Sequence, residues 1–249
     1  MTLLPGASGY EWSKIEDELA IDHTVYTVDL LGCGRSDKSS ITYTNFVYVQ
    51  MISDFIKKII GQKTDVIASG FSGPFVTMAC HNEKELFNKI MLVNPPSLTQ
   101  LKQMPNRKDR LLKAALEIPI FGTLVYHMIV SRDNINNLFI EKMYYNPFHV
   151  DNQMADAYYE AAHKGGYYTR FLYSSLAAKY IIINICHALK ALDNSIYIVE
   201  GETEPNGKAV TDDYCASNPA IEVSVLKETK HLPHVEAPEA FLEQVKIFF

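Results

Sequence analysis

Short apolar runs of strand type alternate with amphipathic helical spacing up to Pro96 and again from Asn194. The stretch between them is helical in period throughout. Residues 24–30 (TVYTVDL) read as a strand, and residues 43–60 as a helix whose apolar positions include Phe46, Val49, Ile52, Phe55, Ile56 and Ile59. Residues 65–68 are a second strand-like run, followed by the small-residue turn Ser69-Gly70-Phe71-Ser72-Gly73. A helix over 74–86 and a buried strand over 89–93, ended by Asn94-Pro95-Pro96, complete a strand–helix–strand unit. Such a unit belongs to a parallel sheet, and its turn lies at the carboxyl edge of the strands, where open α/β sheets bind ligands.

Five helices are predicted in the middle of the chain, over 107–116, 122–130, 134–144, 152–163 and 169–192. Strands over 195–199 and 221–226 and a closing helix over 240–249 restore the α/β alternation, and a further helix is predicted over 10–19. Tyrosines crowd the helical middle; at this spacing they suit both packing and the lining of an amphipathic pocket.

Composition narrows the function classes. At 249 residues, 47% hydrophobic and 21% charged, the chain can bury a substantial core. A net charge of −6 without a basic stripe gives nucleic-acid binding no electrostatic support. The cysteines Cys33, Cys80, Cys186 and Cys215 are scattered, which fits reduced structural thiols in the cytoplasm. No signal peptide opens the sequence, and its longest apolar run, 118–130, is too short to span a bilayer. No H-E-x-x-H, metal-type cysteine spacing or phosphate-cradling glycine loop occurs, so no metal or organic cofactor is expected and the partner expected is a small molecule.

At the turn 69–73 the chain resembles the α/β-hydrolase superfamily, whose nucleophile elbow has the form G-x-S-x-G. The resemblance runs along nearly the whole sequence. Leu3-Leu4-Pro5-Gly6-Ala7-Ser8-Gly9 is similar to the family's L-L-H-G-x-x-G loop with proline in place of histidine, and residues 29–36 match D-x-x-G-x-G-x-S. Gly201-Glu202-Thr203-Glu204-Pro205 resembles the G-x-x-D-P that carries the triad acid. Lys230-His231-Leu232-Pro233-His234-Val235-Glu236-Ala237-Pro238-Glu239 closely follows G-H-x-P-H-x-E-x-P-E.

The resemblance implies an α/β fold with a mostly parallel sheet of about six strands, helices on both faces, and the family's first two strands missing. It divides the chain into a core of residues 1–97 and 193–249 and a helical cap of residues 98–192. It names His231 as base and Glu204 as acid, with His234 and Glu236 shaping the loop and Asp29 and Arg35 structural. The backbone N–H groups of Ala7 and Phe71 would form the oxyanion hole.

The nucleophile is the departure. Aligned on Val66–Gly73, with Asn94-Pro95 as the family's V-N-P, the elbow places Gly70 where the serine belongs. Glycine tolerates the positive φ of that position, which costs other residues about 1–3 kcal/mol. A second register takes Ser72 as nucleophile in G-x-S-x-P, and Ser69 is a third candidate; Ser72 also reads as a small residue at the helix start. The resemblance therefore implies a hydrolase of small ester or other carbonyl compounds with a degenerate elbow. The alternatives are a general-base enzyme without a covalent step and a ligand-binding protein on the same scaffold.

Overall fold

In the computed structural model, which describes residues 3–249, four strands form one parallel sheet in the order β1-β2-β3-β4. They are β1 (Thr64–Ser69), β2 (Phe87–Val93), β3 (Ile196–Gly201) and β4 (Glu222–Leu226). Helix α1 (Asn45–Phe55) precedes β1 and α2 (Ser72–Asn82) follows it. Between β2 and β3 run α3 (Arg107–Glu117), α4 (Pro119–Ile129), α5 (Arg132–Leu138), α6 (Asn152–His163), α7 (Thr169–Ala177) and α8 (Cys186–Ala191). Helix α9 (Gly207–Ser217) links β3 to β4, and α10 (Pro238–Phe248) closes the chain.

The central strands are apolar on both faces, as a parallel sheet covered on two sides requires. Ile90, Leu92, Ile196 and Ile198 pack with Tyr48 of α1, Phe75 of α2 and Leu189 of α8. The alternate residues Met91, Val93, Tyr197 and Val199 pack with Ile15 and with Phe241 and Val245 of α10. A third cluster joins α4 to α6: Tyr126, Phe139, Met154 and Tyr158 pack together and against Ala7, Leu232 and Val235. The middle helices thereby rest on the loop that carries His231.

The structure corrects the expected strand count. Four strands are paired among the described residues, not about six, and residues 24–30 are extended without a ladder. A groove of about 490 Å³ lies between these residues and β1, lined by Val25, Leu30, Val66 and Ala68. The two backbones face each other across it without pairing, so neither edge completes its hydrogen bonds there. Residues 1 and 2 of the expected core lie outside the described residues.

Helix lengths also differ. The helix expected over 10–19 is a 3₁₀ turn, Gly9–Trp12, and one α-helical turn, Glu16–Leu19. That expected over 169–192 breaks where Lys179 takes φ +65°. The β-branched run Ile181-Ile182-Ile183 that follows, costly in a helix, keeps the chain irregular until Cys186.

Candidate functional site

The turn between β1 and α2 has the backbone of an elbow. Gly70 sits at φ +55°, in the left-handed region that a side chain makes costly. Its N–H donates to Val93 O at 2.9 Å, tying the turn to the end of β2, and its carbonyl accepts from Gly73 N at 3.1 Å. The close approach of strand and helix is visible at Gly73, where an added Cβ would stand 3.2 Å from Leu92.

Neither serine of the turn is hydrogen-bonded to His231. Ser69 is fully buried. Ser72 Oγ donates to Ser69 O at 2.8 Å, and Ser72 lines the groove beside β1 together with Ala68 and Val76. A hydroxyl bound to the carbonyl three residues back serves the local backbone at a helix start.

His231 stands on the loop between β4 and α10. Its Nδ1 lies 3.1 Å from Glu204 Oε1, and about a fifth of each side chain is exposed. Glu204 is set by tight turns after β3, donating its N–H to Gly201 O and accepting Gly207 N–H, both at 3.0 Å. A carboxylate on Nδ1 fixes the tautomer with the proton there and leaves Nε2 as the basic nitrogen. Nε2 makes no hydrogen bond to a described residue.

The loop around the histidine is braced from three directions. Asn94, at φ +43°, donates its side-chain amide to Lys230 O at 2.8 Å and His231 O at 3.0 Å, and its Oδ1 accepts Gly201 N–H at 3.0 Å. His231 N–H donates to Met143 O at 3.1 Å. Glu236 accepts Lys230 N–H at 2.7 Å and Tyr145 N–H at 2.6 Å, and burial pushes its carboxyl above the usual range. Val93 holds the elbow while Asn94, the next residue, holds the histidine loop. The last residue of β2 and the one that follows it therefore bring the two together.

Asn94 is the residue that sequence reasoning used only to fix the register. The signal for it was an asparagine closing a buried strand, since asparagine tolerates positive φ and can bond backbone on both sides.

His234 is wholly buried, stacked 4.3 Å from Trp12 and packed beside Phe241. Neither ring nitrogen has a hydrogen-bond partner among the described residues, and burial drives its pKa well below that of a free histidine. Asp29 accepts Gly9 N–H at 2.6 Å and Arg35 N–H at 2.7 Å, joining two loops. The N–H of Ala7 donates to Leu4 O at 3.0 Å, inside its own turn. Of the two expected oxyanion donors, only Phe71 N–H, just before α2, forms no bond to a described residue.

Among the described residues no group of three or more His, Cys, Asp or Glu side chains is placed to hold a metal ion. The four cysteines are unpaired, and burial raises the Cys33 and Cys80 thiols to about 12. A cavity of about 280 Å³ opens beside Tyr144, Asp151 and Glu236; neither it nor the groove beside β1 is lined by His231.

A family model described as "Alpha/beta hydrolase family" matches residues 3–244. Comparison with curated proteins by sequence finds no match. Among solved structures, a serine hydrolase involved in carbazole degradation is similar with a TM-score of 0.80 at 16% identity, over 99% of this chain and 87% of that one. A 2-hydroxy-6-oxo-6-phenylhexa-2,4-dienoate hydrolase from Rhodococcus sp. strain RHA1 gives 0.76 at 18% identity, over 98% and 86%. A thermophilic esterase from Thermogutta terrifontis gives 0.73 at 13% identity, over 96% and 84%. At these identities the likeness is one of fold: an α/β-hydrolase fold built on a parallel sheet.

Proposed function

Because the chain belongs to the alpha/beta hydrolase family, we propose that it hydrolyses small ester or other carbonyl compounds with water, not a serine, as the attacking group. One observation carries this reading: His231 is held by Glu204 through Nδ1, while the residue at the elbow's apex is Gly70.

In this reading Nε2 of His231 takes a proton from water as its oxygen attacks the carbonyl carbon. The negative charge passes to the carbonyl oxygen, where Phe71 N–H stabilises it. The imidazolium then returns the proton to the departing alkoxide, so one water is consumed and an acid and an alcohol are released. Residues 98–192 act as the cap, and the packing of α4 to α6 against Leu232 and Val235 supports it. General-base assistance is worth about 10²–10⁴-fold, which sets the turnover expected.

Hydrolysis of a nitrophenyl ester by the purified chain tests the reading. His231→Ala is expected to remove about 10²–10⁴-fold of the rate. Ser72→Ala is expected to leave it unchanged, and a serine-directed phosphonate should form no adduct. An adduct lost in Ser72→Ala would restore a covalent mechanism. Ligand binding undiminished in His231→Ala, with no turnover by the unaltered chain, would make this a binding protein.

A further inference from the structure

Helix α4 carries its apolar side on the outside. Ile120, Phe121, Leu124 and Met128 fall within one stripe of about 120° on the helical wheel. All four are exposed, Ile120 by 78% and Met128 by 70%. The opposite side, Gly122 and Tyr126, is the buried one. A surface helix ordinarily presents polar residues to water. Here a helix that is apolar nearly all round has one half packed and the other uncovered.

The neighbouring helix supplies charge to the same region. Helix α3 packs against α4 and meets it at a bend of 97°. On its exposed side Leu111 lies among Arg107, Lys108 and Arg110, while Leu116 on the far side is buried. None of these three cations forms an ion pair with a described residue. The other charges of the helix are accounted for, Lys113 with Glu117 and Asp109 with Lys179. An uncompensated basic cluster on the helix that adjoins an exposed apolar stripe stands out in a chain whose net charge is −6.

No single described helix is long and apolar enough to cross a membrane. A bent amphipathic pair rich in Ile, Leu, Phe and Met, bordered by Arg and Lys, suits a different arrangement. Such an element lies in the plane of the lipid surface, with apolar side chains among the acyl chains and cations at anionic headgroups.

We propose that α3 and α4 form a docking surface for an anionic lipid bilayer. The exposed side chains of this surface include neither His231 nor Glu204, so loss of flotation and loss of ester hydrolysis are read separately.

Flotation of the full chain with vesicles tests this. The chain should float with vesicles of phosphatidylcholine and phosphatidylserine, less with phosphatidylcholine alone, and less as salt is raised. Replacing Arg107, Lys108 and Arg110 together (Arg107→Gln, Lys108→Gln, Arg110→Gln) should weaken binding by roughly 100-fold, about fivefold per charge. Ile120→Ser with Leu124→Ser should weaken it by roughly tenfold or more. Both variants alter exposed positions and should keep the circular dichroism and melting of the unaltered chain. Failure of the unaltered chain to float, or flotation indifferent to both variants, would overturn the proposal. So would a concentration-dependent dimer abolished by Ile120→Ser with Leu124→Ser, which would assign the face to a second copy of the chain.

Discussion

The elbow and the histidine loop are fastened to neighbouring residues at the end of β2, yet they are built in opposite ways. At the elbow's apex the backbone makes the turn: Gly70 accepts a positive φ, bonds Val93 through its N–H, and projects no side chain. At the histidine loop side chains do the holding, with Asn94, Glu204 and Glu236 each bonding to it. The elbow's shape thus survives without a hydroxyl because glycine satisfies the same turn at lower strain. The position of His231 does not survive so easily, because it depends on groups brought from far along the chain. Geometry and chemistry are separable at the first and bound together at the second.

The largest expected effect comes from removing the brace. Asn94→Ala deletes three hydrogen bonds, one buried and two partly buried, and should destabilise the fold by about 2–4 kcal/mol in urea titration. Asn94→Gly should cost about 1 kcal/mol less, since it relieves the φ of +43° while losing the same bonds. Near-normal stability in both would break the contrast, showing that the histidine loop needs no brace.

Gly70→Ser sharpens the contrast from the other side. Placing a Cβ at φ +55° should cost about 1–2 kcal/mol. In return the variant should form a covalent adduct with a serine-directed phosphonate, detected by mass spectrometry, and the adduct should disappear when His231→Ala is added. An unlabelled Gly70→Ser would mean that His231 does not address the elbow's apex.

The smallest effect is in pH dependence. Folded His234 resists protonation, whereas in the unfolded chain it titrates near its ordinary value of about 6.5. Below that pH the unfolded state binds the extra proton, so stability falls as the solution is acidified. Glu236 and Glu200, whose carboxyls are raised by burial, work in the opposite sense closer to their ordinary value of 4.5. His234→Phe, which keeps a ring between Trp12 and Phe241, should therefore melt with a flatter pH profile between about pH 6.5 and 5. Identical profiles would show that His234 is not the residue that makes the loop acid-sensitive.

Much of this was legible in the sequence, and the reason is local. Apolar alternation and glycine spacing are properties of neighbouring residues, so β1 to β4, the turn at Gly70 and the loop motif around His231 could be read directly. The chain alone also named Glu204 and His231 as a pair, through motifs rather than through distance. Contacts between remote residues were not legible. Whether residues 24–30 pair depends on what lies beside them, and tertiary structure leaves a groove there. Whether Ala7 N–H is available depends on the fold of its own turn, which gives it to Leu4. Asn94 reaches the carbonyl of a residue 137 positions away, and no period or motif encodes that bond. Sequence determined which elements form, because secondary structure is written in nearest neighbours. Only the packed chain decided which polar groups are satisfied, because that depends on every element arriving at the same place.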